Sequence, residues 1–280
     1  MKRKVFGIIL CTLLGVSLVA CGAQKESKES TEGKSKLTEL KIGASPTPHA
    51  EILEHVKPEL EKEGIKLDIV PFEDYIMPNK ALAENEIDAN YFQHIPFFDK
   101  SVKENDYDFA NAGGVHIELM ALYSKRLKNI ADLKKGGTVL TSNSEADWGR
   151  ILTILTDAKL IKLKDGVDPL TATFEDVVSN PKQLKFKHDV NPELLTTAYN
   201  NDEADLIAIN ANFVTDLGLS PVEDGLLVEK NNSPYANIVA VRSEDKNKAE
   251  IKKLMEVLHS KETQDWISKK WQGRITPVSK

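Results

Sequence analysis

Arg150 is the side chain in this sequence best suited to bind an anion. Its planar guanidinium can hold a carboxylate through two parallel hydrogen bonds. We predict that Arg150 lies in the first turn of a helix, where free backbone N–H groups and the positive end of the helix dipole also favour an anion. Arginines are commonly found on solvated helix faces, so the position alone leaves two interpretations open, a carboxylate anchor and a surface side chain.

Two asparagines could complement such an anchor. Asn210 ends a predicted buried strand and Asn237 precedes another, which would direct both side chains toward a cleft. A side-chain amide offers its carbonyl to an ammonium group and its NH₂ to a carboxylate. An asparagine at a strand end is also a common turn residue, so this interpretation remains open as well.

Tyr75, Phe92 and Phe97 could form the apolar wall of a binding pocket, although Phe92 also fits an ordinary core position in a strand. His94 follows the same strand, and a lone histidine can be a core group, a ligand contact or a metal ligand. The six histidines, His49, His55, His94, His116, His188 and His259, show no His-x-His or His-x-x-x-His spacing. We therefore predict neither a metal site nor a cofactor.

Asp147 has two possible roles. It could pair with a ligand ammonium group, as the N-terminus of a peptide would require. It also stands three residues after Ser144, the spacing of a helix capping box, and this spacing alone accounts for its presence. The sequence therefore favours the capping role. Trp148 beside it could pack between lobes or shape the rim of a pocket.

The apolar periodicity predicts two α/β units that would position these residues. The first unit combines strands near Leu37–Ile42, Ile65–Ile69 and Ile87–Phe92 with helices over Ala50–Glu63 and Met77–Asn85. The second combines strands over Thr138–Thr141 and Ala204–Ile209 with helices over Trp148–Ile161 and Pro192–Asn200. Two apolar runs, Leu119–Tyr123 and Ile238–Val241, are predicted crossover strands, and Lys246–Trp271 is predicted to be a helix that returns to the first unit. We predict an α/β fold of two lobes with the ligand in the cleft between them.

The N-terminus indicates export. A basic cluster at Lys2–Lys4 precedes the apolar run Val5–Ala20, which ends at Cys21 and is too short to span a bilayer. This order is typical of a signal peptide with a lipoprotein cleavage site. The next segment, residues 22–36, is polar and is predicted to be a flexible spacer. The predicted organisation is a signal peptide at 1–20, a lipidated linker at 21–36, lobe I at 37–122, lobe II at 123–237, and the return to lobe I at 238–280.

The composition excludes several kinds of protein. The formal charge is −6 and becomes more negative when the basic signal peptide is removed, which argues against nucleic acid as a partner. Cys11 lies in the predicted signal peptide, so the mature chain has no cysteine for a disulfide or a zinc site besides Cys21. There is no Gly-x-Ser-x-Gly elbow, and the sequence gives no support to a surface hydrolase. We predict a monomer that is not an enzyme.

Several strings of the sequence resemble the NlpA family of methionine-binding lipoproteins, which serve ABC importers. They are Asp88-Ala89-Asn90-Tyr91-Phe92-Gln93-His94-Ile95-Pro96-Phe97, Phe72-Glu73-Asp74-Tyr75, Gly149-Arg150, Ala208-Ile209-Asn210-Ala211-Asn212 and Ser233-Pro234-Tyr235-Ala236-Asn237. The resemblance covers about Leu37 to Pro277. It implies the type II fold of periplasmic binding proteins, with two crossover strands, and acylation of Cys21 on the extracytoplasmic face of the membrane. It also implies an ABC permease and an ATPase as partners.

The resemblance also implies roles for individual residues. Arg150 would bind the ligand carboxylate, Asn210 and Asn237 its amino-acid backbone, and His94 would contact the ligand. Tyr75, Phe92 and Phe97 would enclose the methionine side chain. The family commonly carries a Pro-Asn-Asp-Pro-Thr-Asn loop before Gly-Arg, whereas this chain has Ser142–Trp148 there. This difference leaves a methionine-containing dipeptide or another amino acid open beside L-methionine. A structural surface protein or adhesin would have no such pocket.

Overall fold

The computed structural model of the chain describes residues 37–230 and 233–278. The predicted signal peptide, the predicted acylation of Cys21 and the predicted spacer lie outside these residues. In the two described ranges, the helices are too short or too polar for any of them to traverse a lipid bilayer.

Thirteen strands and nine α-helices make up the described fold. The strands are β1 (Thr38–Ala44), β2 (Ile65–Pro71), β3 (Ala89–His94), β4 (Phe109–Glu118), β5 (Ala121–Tyr123), β6 (Thr138–Ser142), β7 (Lys162–Leu163), β8 (Val177–Ser179), β9 (Lys185–Val190), β10 (Leu206–Ile209), β11 (Leu227–Val228), β12 (Ala236–Arg242) and β13 (Ile275–Pro277). The helices are α1 (Glu51–Lys62), α2 (Met77–Ala83), α3 (Ile95–Asn105), α4 (Glu145–Asp157), α5 (Leu195–Asn200), α6 (Ala211–Val214), α7 (Pro221–Asp224), α8 (Ala249–Leu258) and α9 (Lys261–Trp271).

The first sheet has six strands in the order β13-β4-β12-β3-β1-β2. β1 pairs in parallel with β2 and β3, whereas β12 is antiparallel to both β3 and β4, and β13 is antiparallel to β4. The alternation of strands and helices in the sequence predicts a mostly parallel sheet, but half of this one is antiparallel. The antiparallel half arises because two of its strands come from the C-terminal return of the chain, which the local pattern does not reveal.

The second sheet has the order β11-β5-β10-β6-β9, and β7 pairs with β8 in a separate ribbon. β6 is parallel to β9 and β10, while β5 is antiparallel to β10 and β11. The chain passes from the first sheet to the second between β4 and β5, and it returns between β11 and β12. The second sheet is therefore built from one uninterrupted stretch of chain inserted into the first.

Amphipathic helices cover the sheets. α1 buries Ile52, Leu53, Val56 and Leu60 against the first sheet, in a core shared with α8 and α9. α4 buries Ile151, Leu152 and Leu155 on one face of the second sheet, and α5 packs against the residues of its other face. These apolar positions recur every three or four residues, as the burial of one helix face requires.

Two predicted helices have different limits in the structure. α4 begins at Glu145 rather than at Trp148 and ends at Asp157 rather than at Ile161, so Arg150 lies in its second turn and not in the first. The predicted C-terminal helix is two helices, because Ser260 starts α9 as an N-cap whose Oγ accepts a hydrogen bond from the backbone N–H of Thr263 at 3.2 Å. Apolar spacing continues across both boundaries, which is why it could not locate them.

The polar residues collect where parallel strands end. His49 follows β1, Tyr75 follows β2, His94 ends β3, and Asn210 follows β10. Ligands in open α/β sheets bind outside the carboxyl ends of the strands. The topology therefore brings residues from both sheets to one cleft.

Candidate functional site

Asp147 is buried beside the cleft, in contact with two residues that line it. Its Oδ1 is 3.0 Å from His94 Nε2, and its Oδ2 accepts a hydrogen bond from Asn210 Nδ2 at 3.1 Å. The side chain of Ser144, the N-cap of α4, makes no capping hydrogen bond. The interpretation of Asp147 as a capping-box residue is therefore wrong. Its carboxylate points into the cleft, where the contacts from His94 and Asn210 stabilise it better than an exposed cap would.

His94 is held in one orientation by α3. It is the N-cap of this helix, and its Nδ1 accepts the backbone N–H of Phe97 at 3.2 Å. Because Nδ1 accepts, the proton of a neutral His94 is on Nε2, which donates it to Asp147. His94 belongs to the first sheet and Asp147 to α4 of the second, so this hydrogen bond joins the two sides of the cleft.

The Arg150 guanidinium is buried among acceptors. Its Nη2 donates to the backbone carbonyl of Glu118 at 2.8 Å and to the carboxylate of Glu229, and its Nη1 lies 3.5 Å from Asp147 Oδ1. Its Cζ lies 4.4 Å from the ring centroid of Tyr235, within the range of a cation–π contact. Nε is buried without a hydrogen-bond partner among the described residues. The guanidinium thus faces the cleft while one of its donors is unused.

The ionic partners keep both groups charged despite their burial. Burial lowers the pKa of Arg150, but the carboxylates of Glu229 and Asp147 outweigh it and raise the pKa. Burial also raises the pKa of Asp147, but His94, Arg150 and the Asn210 amide outweigh it and hold the pKa well below its usual range. The cleft therefore presents an anion and a cation side by side.

An aromatic wall stands opposite these charges. The ring centroid of Tyr75 lies 6.1 Å from that of Phe92 and 5.8 Å from that of Phe97, and the latter two are 5.9 Å apart. The Tyr75 hydroxyl donates to Asn212 Oδ1 at 2.6 Å, which is a second hydrogen bond between the two sides of the cleft. Phe92 is in a strand but also lines the cavity. This position is compatible with both of its interpretations, a core aromatic and a residue of the pocket wall.

Asn237 belongs to a second polar network next to Arg150. Its Oδ1 is 3.0 Å from His49 Nε2, and His49 Nε2 is 3.4 Å from Glu118 Oε1. His116 Nε2 is 2.8 Å from the same Glu118 oxygen. Burial lowers the pKa of His49 to about 4, although Glu118 opposes this change. Burial alone would raise the pKa of Glu118, but His116, His49 and Arg150 lower it.

Together with the open solvent at its mouth, the cavity between these side chains is about 390 Å³. The structure brings all seven predicted ligand-binding residues to its wall: Tyr75, Phe92, His94, Phe97, Arg150, Asn210 and Asn237. Asp147 lies directly behind His94 and Asn210. Sequence reasoning missed five further lining residues: His49, Gln93, Glu118, Ala211 and Asn212.

Some of the missed residues left a signal in the sequence. His116 and Glu118 are two apart in a strand, so their side chains share one face of the sheet. Asn212 is two residues beyond Asn210, at the start of a short helix. Glu229, which pairs with Arg150, lies far away in the sequence and left no such pattern. Only the tertiary fold brings it to the cleft.

The NlpA lipoprotein family matches residues 40–279. The chain is 45% identical to the methionine-binding lipoprotein MetQ of Bacillus subtilis over 281 residues, which is 100% of both chains.

Two solved structures are also similar. The periplasmic substrate-binding protein of an ABC transporter from Coxiella burnetii is 35% identical with a TM-score of 0.80, over 85% of this chain and 100% of that one. A nutrient-binding protein from Burkholderia cenocepacia, solved bound to methionine, is 33% identical with a TM-score of 0.80, over 85% of this chain and 99% of that one. Both similarities confirm the predicted α/β fold of a periplasmic binding protein.

Proposed function

Because the chain belongs to the NlpA lipoprotein family, we propose that it is the methionine-binding component of an ABC importer. The relatives are named for binding a substrate and not for catalysis, in agreement with the prediction that the chain is no enzyme. The observation that carries the proposal is the buried Arg150 guanidinium, paired with Asp147, in one cavity with an aromatic wall. This arrangement matches a zwitterion with an apolar side chain.

The ligand contacts follow from the chemistry of these groups. The α-carboxylate binds the Arg150 guanidinium, which can hold it through two N–H groups. The α-ammonium donates to the free carbonyl oxygen of Asn210, whose NH₂ already donates to Asp147, and the Asp147 carboxylate behind it favours the positive charge. The Asn237 amide completes the contacts to the amino-acid backbone.

The side-chain pocket accounts for the preference for a thioether. Tyr75, Phe92 and Phe97 offer ring faces and edges to the sulfur, and a sulfur–aromatic contact contributes about 0.3–1.5 kcal/mol beyond plain burial. Leucine would gain burial but not this contact. A methionyl dipeptide is the competing ligand, because a carboxylate such as Asp147 can also bind a peptide N-terminus.

Binding is coupled to closure. The first sheet, from residues 38–118 and 236–277, belongs to one lobe and the second sheet, from residues 121–228, to the other, and ligand contacts from both lobes stabilise the closed state. Lipid on Cys21 and the spacer that follows hold the protein at the extracytoplasmic face of the membrane. The tether keeps the lobes at a high local concentration beside the permease and its ATPase.

Calorimetric titration of the full chain in detergent, refolded to remove bound ligand, tests the proposal. L-methionine should give heat at a stoichiometry near one, and L-leucine should bind more weakly. Arg150→Lys keeps the charge but loses the two-pronged contact, so the affinity should fall about 10- to 100-fold, the equivalent of one charged hydrogen bond of about 1.5–3 kcal/mol.

Arg126→Lys is the matched control, since Arg126 lies outside the cavity and pairs with Asp202. It should bind L-methionine like the natural chain. Strong heat with glycyl-L-methionine and none with L-methionine would mean that the ligand is a dipeptide and not the free amino acid. Unchanged methionine affinity in Arg150→Lys would mean that Arg150 does not bind the ligand carboxylate.

A further inference from the structure

The network of His49, His116 and Glu118 contains three metal-ligating side chains that the proposed methionine contacts do not use. Their exposed fractions are 1%, 0% and 6%. Their nearest ligand atoms, two imidazole nitrogens and one carboxylate oxygen, all lie within 4.8 Å of one another. Clusters of acidic residues are common on protein surfaces, but these three side chains are buried. Their proximity therefore needs a physical explanation.

The fold brings these side chains together from three elements. His116 and Glu118 share one face of β4, and His49 follows β1 on the far side of β3 and β12. Asn237 on β12 is in register with His116 on the adjacent strand. Its Oδ1 lies 3.0 Å from His49 Nε2, so an amide oxygen stands next to the three side chains as a fourth oxygen or nitrogen ligand.

Both distances from the Glu118 oxygen to the histidine nitrogens are close to those of a metal centre. Ligands about 2.0–2.1 Å from a tetrahedral zinc ion are roughly 3.3 Å from each other. The Glu118 oxygen is 3.4 Å from His49 Nε2 and 2.8 Å from His116 Nε2. The two histidine nitrogens lie within 4.8 Å of each other, so the imidazoles would move toward each other to bind one ion.

Tyr91 supplies the outer contact that a metal-bound histidine requires. Its buried hydroxyl is hydrogen-bonded to Nδ1 of His116, on the side of the ring opposite Glu118. In metal sites the second ring nitrogen donates to an oxygen, which fixes the tautomer that frees Nε2 for the metal. The Tyr91 oxygen is placed to accept that proton.

The local charge also favours a cation. The carboxylates of Glu118, Asp147 and Glu229 surround one guanidinium, that of Arg150, and all four side chains are at most 10% exposed. With neutral histidines, this group carries two more negative than positive charges. Bound zwitterionic methionine leaves that excess unchanged, whereas one divalent ion removes it.

We propose that His49, His116 and Glu118 form a binding site for one divalent transition-metal ion beside the methionine pocket, with Asn237 on its fourth side. Two imidazoles and one carboxylate suit Zn²⁺ and its transition-metal neighbours, whereas Mg²⁺ and Ca²⁺ prefer ligand sets made of oxygen. This site goes beyond the proposed methionine binding, with which it shares the Asn237 amide.

The test measures metal retained by the full chain in detergent. After treatment with a chelator, the protein is incubated with ZnCl₂ or MgCl₂, desalted and analysed by elemental mass spectrometry. The natural chain should retain about one zinc and no magnesium. Glu118→Gln and His49→Gln should each retain at least tenfold less zinc, with circular dichroism confirming that both are folded. His55→Gln, outside the group on α1, should retain zinc like the natural chain.

Two outcomes would overturn the proposal. Retention of no zinc by the natural chain would mean that protons on the histidines balance the buried carboxylates. Equal retention by Glu118→Gln would mean that exposed side chains hold the zinc. Methionine titration of the chelator-treated protein reports the transport ligand separately, so failure of the metal site would leave the proposed function standing.

Discussion

Asp147 stabilises the fold as an anion, and this makes its contribution dependent on pH. Its pKa is held below the ordinary value of 3.8 by His94, Arg150 and Asn210, which outweigh its burial. A carboxyl with a lowered pKa contributes stability that is present above 3.8 and is lost as the pH falls below that value. We expect this loss to be about 1.4 kcal/mol per pH unit below 3.8.

Urea unfolding between pH 5 and pH 3 measures this dependence. Asp147→Asn cannot titrate at this position, so its free energy of unfolding should fall less steeply with pH than that of the natural chain. Asp265→Asn removes an exposed carboxyl from α9 and should keep the steep slope. Equal slopes in the natural chain and Asp147→Asn would show that the contacts of Asp147 do not depend on its charge.

Residue spacing alone could not distinguish the two possible roles of Asp147. Ser144 and Asp147 have the spacing of a capping box whether the carboxylate turns back to the helix or toward the cleft. The choice depends on His94 and Asn210, which are distant in the sequence. Arg150, Asn210 and the aromatic residues were predictable because family-specific strings mark them. Glu229 and His49 were not, because their partners are known only after folding.

α4 is the element that positions the ion pair, and Gly149 sets how closely it can pack. A Cβ on Gly149 would lie 2.0 Å from the backbone oxygen of Pro169, so a larger residue would push α4 away from that segment. Gly149→Ala should lower the free energy of unfolding by about 1–3 kcal/mol, the cost of overpacking. Because Arg150 is the next residue, methionine affinity should fall severalfold in the same variant.

Thermal unfolding and calorimetry check both effects. Gly114→Ala is the matched control, since its Cβ would make only ordinary contacts, the nearest at 3.5 Å from Ala236. It should change methionine affinity little. If Gly149→Ala has the unfolding temperature and the methionine affinity of the natural chain, the segment around Pro169 moves easily and does not position α4.

The elements themselves were largely predictable from periodicity. α1 lies within one residue of its predicted limits at each end, because its apolar stripe and the following Gly64 mark them. The apolar pattern starts α4 three residues late, at Trp148, whereas the capping-box spacing correctly marks Ser144 as the N-cap. The antiparallel pairing of β12 had no local signal, since register depends on strands that are remote in the sequence.

At the scale of the molecule, an exposed ion pair spans the cleft besides the buried contacts. Lys100 of α3 lies 2.7 Å from Glu145 at the start of α4. Both side chains are partly exposed, so the pair contributes at most about 1 kcal/mol. Lys100→Ala should weaken methionine binding by no more than about fivefold at low salt, because closure loses this contact.

Salt separates this effect from lost packing. At about 1 M NaCl the screening length is about 3 Å, so Lys100→Ala and the natural chain should bind methionine equally. Lys103→Ala, on the exposed face of the same helix, should match the natural chain at both salt concentrations. If Lys100→Ala still binds methionine more weakly than the natural chain at high salt, the loss comes from the packing of the lysine side chain and not from its charge.

The position of β12 has a consequence for how the protein matures. β12 lies between β3 and β4 in the first sheet. In the sequence it comes after both, and all strands of the second sheet lie between β4 and β12. A chain that is synthesised and exported from its N-terminus can therefore complete the inserted sheet first. Until β12 arrives, one edge of β3 has no partner in the sheet, and unpaired strand edges promote aggregation. We expect the newly exported chain to depend most on chaperones during this interval, before its last strands emerge.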